Sequence, residues 1–135
     1  MGPDPKVASV NMILVVDDDP LVRATIVGAL HELGYQTGEA ADGEAALAAL
    51  RAAEPPSLVI LDYVMPGMDG AEVARQIAAI DPDLPIVFST GHAALRALRS
   101  AAGEEAAVLE KPFTLDELDD LLRERLVERR RGRAA

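Results

Sequence analysis

A chain of 135 residues that is half apolar has room for one domain with a substantial core; with no Trp and few other aromatics, that core must be Leu, Val, Ile and Ala. The absence of Cys excludes disulfides and thiolate metal sites, which fits a reducing compartment such as the cytoplasm. A formal charge of −10 disfavours direct DNA binding, and no apolar run approaches the roughly 20 residues of a membrane span.

Residues 1–11 lack a hydrophobic signal core and are read as a flexible lead-in. The first strand is predicted over Met12 to Val16. Asp19 and Pro20 suit an N-cap and a first helical position, and Val22, Ile26, Leu30 and Leu33 follow at helical spacing until Gly34. A weak strand over Gln36 to Glu39 leads to Asp42-Gly43, which opens a second helix with Leu47 and Leu50 inward, ended by Pro55-Pro56. Leu58 to Leu61 is a continuous apolar run, as a strand buried on both faces requires.

The loop DYVMPGMDG precedes a third helix with Val73, Ile77 and Ile80 inward. A fourth strand is predicted over Pro85 to Ser89, then an alanine-rich helix anchored by Leu95 and Leu98, then a fifth strand over Ala107 to Leu109. Thr114 and Glu117 have capping-box spacing for a last helix with Leu115, Leu118, Leu122 and Leu126 on one face. From Arg123 onward six Arg against two Glu give +4 and leave −14 on the rest. The basic tail, 128–135, is read as a solvated helix end whose cations suit the C-terminal dipole.

Regular alternation of strands and helices predicts an α/β fold, a doubly wound five-stranded parallel sheet within a single domain over 12–127. Ligands of such sheets bind at the carboxyl ends of the strands. Asp17 and Asp18 end the first strand, Asp62 the third, Thr90 the fourth and Lys111 the fifth. Clustered carboxylates repel one another and resist desolvation, and a hard divalent cation relieves both costs. Oxygen-only donors suit Mg²⁺, which shares its shell with phosphate oxygens; Mn²⁺ is the alternative. Lys111 and Thr90 could then hold the phosphoryl oxygens. Asp62, alone on a central strand, is the candidate nucleophile. Any one of these residues is more simply a cap or a solvated charge. Five of them at four strand ends are not.

The motifs VVDDDP at 15–20, LDYVMPGMDG at 61–70, FSTGH at 88–92 and EKPF at 110–113 resemble, in order and spacing, those of the receiver domain of two-component response regulators. The resemblance spans roughly residues 12–127 and implies the flavodoxin-like strand order 2-1-3-4-5, which general accounts of this fold give for the chemotaxis regulator. It implies that Asp62 is the phosphoacceptor and that Asp17, Asp18, Asp62 and the Val64 carbonyl hold the metal. Lys111 would pair with the phosphoryl group, its bond to Pro112 being cis. Thr90 would move toward the phosphoryl oxygen, with Gly91 leaving room for it. Gly70 and Pro66 would shape the loop into the third helix.

One position departs from the pattern. Many receivers carry Tyr or Phe three residues before the Lys, and that ring swings when the Thr moves; here Val108 stands there, with little rotameric reach. The signal is therefore expected through Gly91 and a loosely held fourth helix. Val64 and His92 lie where the family tunes access of hydrolytic water, although His92 is more simply a solvated residue and His31 a structural one.

The resemblance further implies a signalling phosphoacceptor rather than an enzyme on an external substrate. It would phosphorylate itself from a sensor histidine kinase or histidine phosphotransfer protein and dephosphorylate slowly. A protein target, or a second copy on phosphorylation, would dock on helix 4, strand 5 and helix 5. A cytoplasmic single-domain regulator is expected, without direct contact to DNA or membrane. An aspartate-nucleophile phosphatase would place its nucleophile after the first strand and carry a cap. A flavin carrier would need a Ser/Thr/Gly-rich phosphate loop where DDDP stands.

Overall fold

The computed structural model describes residues 11–52 and 54–134, with side chains described as far as 127. The predicted lead-in, Asn11 aside, and the side chains of the tail lie outside the described residues. The main strands are β1 (Met12–Val16), β2 (Gln36–Ala40), β3 (Leu58–Asp62), β4 (Ile86–Gly91) and β5 (Ala107–Lys111). Between and after them come α1 (Pro20–Glu32), α2 (Gly43–Leu50), α3 (Gly70–Ile80), α4 (Leu95–Ala102) and α5 (Leu115–Ala134). The sheet order is β2-β1-β3-β4-β5 and every pairing in it is parallel, which is the doubly wound flavodoxin-like arrangement.

The side-chain alternation of the strands divides the core in two. Ile13, Val15, Ile60, Val87 and Leu109 face α1 and α5, meeting Ile26, Leu30, Leu118, Leu122 and Leu126. Leu14, Val16, Val59, Leu61 and Phe88 face the other way, toward Ala46, Leu50, Val73, Ile77 and Leu98 of α2, α3 and α4. All five residues of β3 are buried, as its unbroken apolar run demands. Both core layers meet the sheet below its carboxyl edge, so the strand ends stand on a rigid base.

Short polar side chains start α1, α2, α3 and α5. Asp19 accepts hydrogen bonds from the amides of Leu21 and Val22, with Pro20 in the first helical turn. Asp42 and Asp69 cap α2 and α3 through the amides of Ala45 and Ala71. Thr114 and Glu117 form the reciprocal capping box, each bond 3.1 Å long.

Four expectations need correction. The strand read to Ser89 continues to Gly91, because Thr90 and Gly91 still pair with Glu110 and Lys111 of β5. Thr90 is thus inside β4. Helix α2 ends at Leu50 with Arg51 as its C-cap, before the prolines are reached. The loop after Asp62 holds a small hairpin, Val64–Met65 against Met68–Asp69. Ile80 and Leu115 are exposed, since each sits at a helix end beyond the reach of the sheet.

Candidate functional site

The parallel sheet brings the strand ends together as the sequence suggested. Asp17 and Asp62 are buried and Asp18 is exposed, yet the three offer carboxylate oxygens within 4.8 Å of one another. One cation faces them: Lys111 Nζ lies 3.6 Å from Asp17 Oδ2 and 3.8 Å from Asp62 Oδ1. The Lys111–Pro112 peptide bond is cis.

One ammonium against three carboxylates leaves the cluster under-compensated. Burial pushes the Asp62 carboxyl up to about 6, with Asp17 and Asp18 adding to the rise. Lys111 opposes that rise most strongly, helped by the Val64 amide, which donates to Asp62 Oδ1 at 3.3 Å. Asp17 Oδ1 accepts from the Asp19 amide at 2.9 Å, but Asp17 Oδ2 is buried without any hydrogen bond. A buried carboxylate oxygen without a hydrogen bond is rare, and here only the Lys111 ammonium at 3.6 Å offsets its desolvation. Hard oxygen donors with a surplus of negative charge and a buried oxygen that lacks a hydrogen bond fit Mg²⁺, which would meet that oxygen with further positive charge.

Thr90 is buried at the rim, and its hydroxyl donates to the Gly91 carbonyl at 3.3 Å rather than to a carboxylate. A Cβ at Gly91 would meet nothing within 4 Å, so the space over Gly91 is open. Val108 pairs with Phe88 and packs against the core on the α2–α3–α4 side. His92 is 88 % exposed, with Nδ1 3.7 Å from a Glu110 carboxylate oxygen, as its solvated reading expected. His31 bonds Thr37 at 2.8 Å, a structural contact between α1 and β2.

Two contacts escaped the sequence reading. Arg23 donates from Nη1 to the Asp17 carbonyl at 2.7 Å and from Nε to Glu39 at 2.9 Å. Tyr63, next to Asp62, packs edge-on to Phe88 with ring centroids 6.1 Å apart and donates its hydroxyl to the Ala97 carbonyl of α4 at 3.2 Å. Arg23 stands one helical turn after Asp19, a spacing that aims it back at the strand end; the partner of Tyr63 is too distant in sequence to leave a signal.

A parallel sheet of this order with an acidic centre and a lysine at its carboxyl edge defines a class. A family model for the response regulator receiver domain matches residues 13–123, and the chain belongs to that family, the receiver domain of response regulators in two-component signalling. The response regulator receiver protein CpdR of Brucella abortus is 44 % identical over 117 residues, covering 85 % of this chain and 96 % of CpdR. Sporulation initiation phosphotransferase F of Bacillus subtilis is 34 % identical, covering 84 % of this chain and 92 % of its own length. The crystal structure of NtrX from Brucella abortus superposes with a TM-score of 0.83 at 34 % identity, over 92 % of this chain but only 28 % of NtrX. No helix among the described residues is long and apolar enough to cross a membrane.

Proposed function

We propose that this receiver takes a phosphoryl group onto Asp62 from the phosphohistidine of a sensor histidine kinase or histidine phosphotransfer protein. The observation that carries this reading is the buried Asp62 carboxylate, set between one ammonium and two further carboxylates. An Asp62 oxygen attacks phosphorus, the P–N bond to the imidazole breaks, and the imidazole leaves as the acyl phosphate forms. Lys111 stabilises the charge on the transferring oxygens. Asp17, Asp18, Asp62 and the Val64 carbonyl would hold Mg²⁺, which when bound neutralises phosphoryl charge. The name of the Bacillus relative, a phosphotransferase, supports the same chemistry.

Output then follows from a population shift. The phosphoryl group binds better to a conformer in which the Thr90 hydroxyl leaves the Gly91 carbonyl and turns to it. The movement passes to α4, in which Leu98 is the one fully buried side chain and no side chain caps the N-terminus. A helix with one buried anchor loses little core packing when it shifts. The face of α4, β5 and α5 is then read by a protein target or a second copy. The setting is the cytoplasm, where the domain phosphorylates itself and dephosphorylates slowly. Amide exchange over residues 91–103 should change on phosphorylation; unchanged exchange there would remove α4 from the route.

The direct test is native mass spectrometry with Mg²⁺ before and after acetyl phosphate, with Asp62→Ala as control. One phosphoryl adduct on the wild type and none on the variant is expected. An adduct that survives the substitution would move the acceptor elsewhere. Absence of both adduct and Mg²⁺ binding in the wild type would end the phosphoacceptor reading.

A further inference from the structure

The acidic centre depends on how the peptide between Asp17 and Asp18 is turned, and the structure shows what turns it. Strand β1 ends at Val16, so the Asp17 carbonyl lies beyond its last residue. Its amide still donates to Ala40 at 3.1 Å. The carbonyl is taken by Arg23 Nη1 at 2.7 Å, one turn into α1. The same guanidinium reaches Glu39 at the end of β2 with Nε at 2.9 Å. Its side chain is only 19 % exposed, so the fork is largely withdrawn from water.

We infer that Arg23 is the positioning residue of the acidic pair: by holding the Asp17 carbonyl it sets the plane of the peptide that joins the two metal-facing carboxylates. This inference rests on the reading of Asp17 and Asp18 as Mg²⁺ ligands. A planar peptide held at its oxygen has lost one soft rotation, which restrains the backbone from which the Asp17 and Asp18 side chains project. Mg²⁺ demands near-ideal octahedral geometry, so it is sensitive to the direction of these side chains. Glu39 meanwhile cancels the charge of Arg23. The guanidinium therefore orients the acidic pair without adding a net positive field that would repel the cation.

The rigid fork makes Lys a poor substitute. A single ammonium on a flexible stem cannot span the carbonyl and the Glu39 carboxylate with two aligned donors. Groups that hold metal ligands in place change metal affinity by about 10–100-fold when removed.

The test is Mg²⁺ titration of the full chain by isothermal calorimetry. It is paired with hydrogen exchange of the Asp18 and Asp19 amides in metal-free protein and with thermal unfolding. Arg23→Gln is expected to weaken Mg²⁺ binding about tenfold and to speed exchange at both amides while the protein still unfolds cooperatively. Arg23→Lys should fall between, and it serves in place of Arg23→Gln if that variant does not fold. Glu39→Gln should keep affinity within about twofold, since the carbonyl contact survives. Unchanged affinity in folded Arg23 variants, or an equal loss in Glu39→Gln, would overturn the inference. A wild type that binds no Mg²⁺ would instead overturn the metal site on which it rests.

Discussion

Gly70→Ala should destabilise the domain by about 2 kcal/mol and slow phosphorylation of Asp62 at least tenfold. A Cβ built on Gly70 would stand 2.7 Å from Tyr63 Cα, 2.8 Å from Tyr63 O and 3.0 Å from Asp62 O. All three are backbone atoms, so no side chain can swing aside. Gly70 also donates its amide to the Tyr63 carbonyl at 3.1 Å, which clamps the start of α3 against the residue after the acceptor. Two effects compete. Alanine is favoured over glycine in a helix by about 1 kcal/mol. Overpacking of a tight contact costs up to about 3 kcal/mol, and here only backbone can yield. The clash wins. The relief must come from α3, held through buried Val73 and Ile77, or from the chain at Asp62–Tyr63. Movement of the second kind misplaces the nucleophile. Urea unfolding and the rate of acyl phosphate formation check the two parts; a variant as stable and as fast as wild type would show that the contact relaxes freely.

The same close approach explains why the sequence disclosed the site better than its supports. Asp17, Asp18, Asp62 and Lys111 could be located because a parallel sheet places every strand end at one edge, and the strands were marked by dense apolar runs. Local polar signals were equally plain: Asp19 before Pro20, and Thr114 three residues before Glu117. The limits of β4 were less so. Thr90 and Gly91 carry no apolar pattern, and they remain in the strand only because Glu110 and Lys111 of β5 pair with them. The hairpin at Val64–Met65 and Met68–Asp69 is too short for any periodicity to register. Arg23 and Tyr63 act through the carbonyls of Asp17 and Ala97, and a bond to a backbone oxygen leaves no mark on the identity of the acceptor. Val108 was visible as a departure. The structure adds that Phe88 is its neighbour across the sheet and that Tyr63 lies edge-on to Phe88. An aromatic pair thus occupies that side of the sheet, with Tyr63 next to Asp62 in the chain.

Asp62→Asn, which removes the proposed acceptor, should also make the metal-free domain more stable, by about 1–2 kcal/mol at pH 7.5. The Asp62 carboxyl is raised from 3.8 to about 6 in the fold, chiefly by burial. The folded state therefore holds the proton more tightly than the unfolded chain. The stability that the bound proton contributes is complete below about pH 4 and lost as pH rises through about 6. Above that the wild type carries an ionised, poorly solvated carboxylate, and a shift of this size corresponds to at most about 3 kcal/mol. Solvent at the open edge of the sheet screens part of it, and Lys111 loses a partner on substitution, hence the smaller figure. Asparagine does not titrate, and its side-chain carbonyl can still accept the Val64 amide. The advantage of the variant should accordingly shrink from pH 7 to pH 4. A difference that is constant across this range would show that ionisation of Asp62 is not its cause. Mg²⁺ should reverse the order. A ligand present at one hundred times its dissociation constant stabilises the state that binds it by about 2.7 kcal/mol, more than the advantage of the variant, and the wild type, with its third carboxylate, should bind the cation more tightly. The repulsion that destabilises the free acidic centre is thus one that bound positive charge relieves. A doubly charged phosphoryl group on Asp62 would for the same reason need Lys111 and a cation beside it.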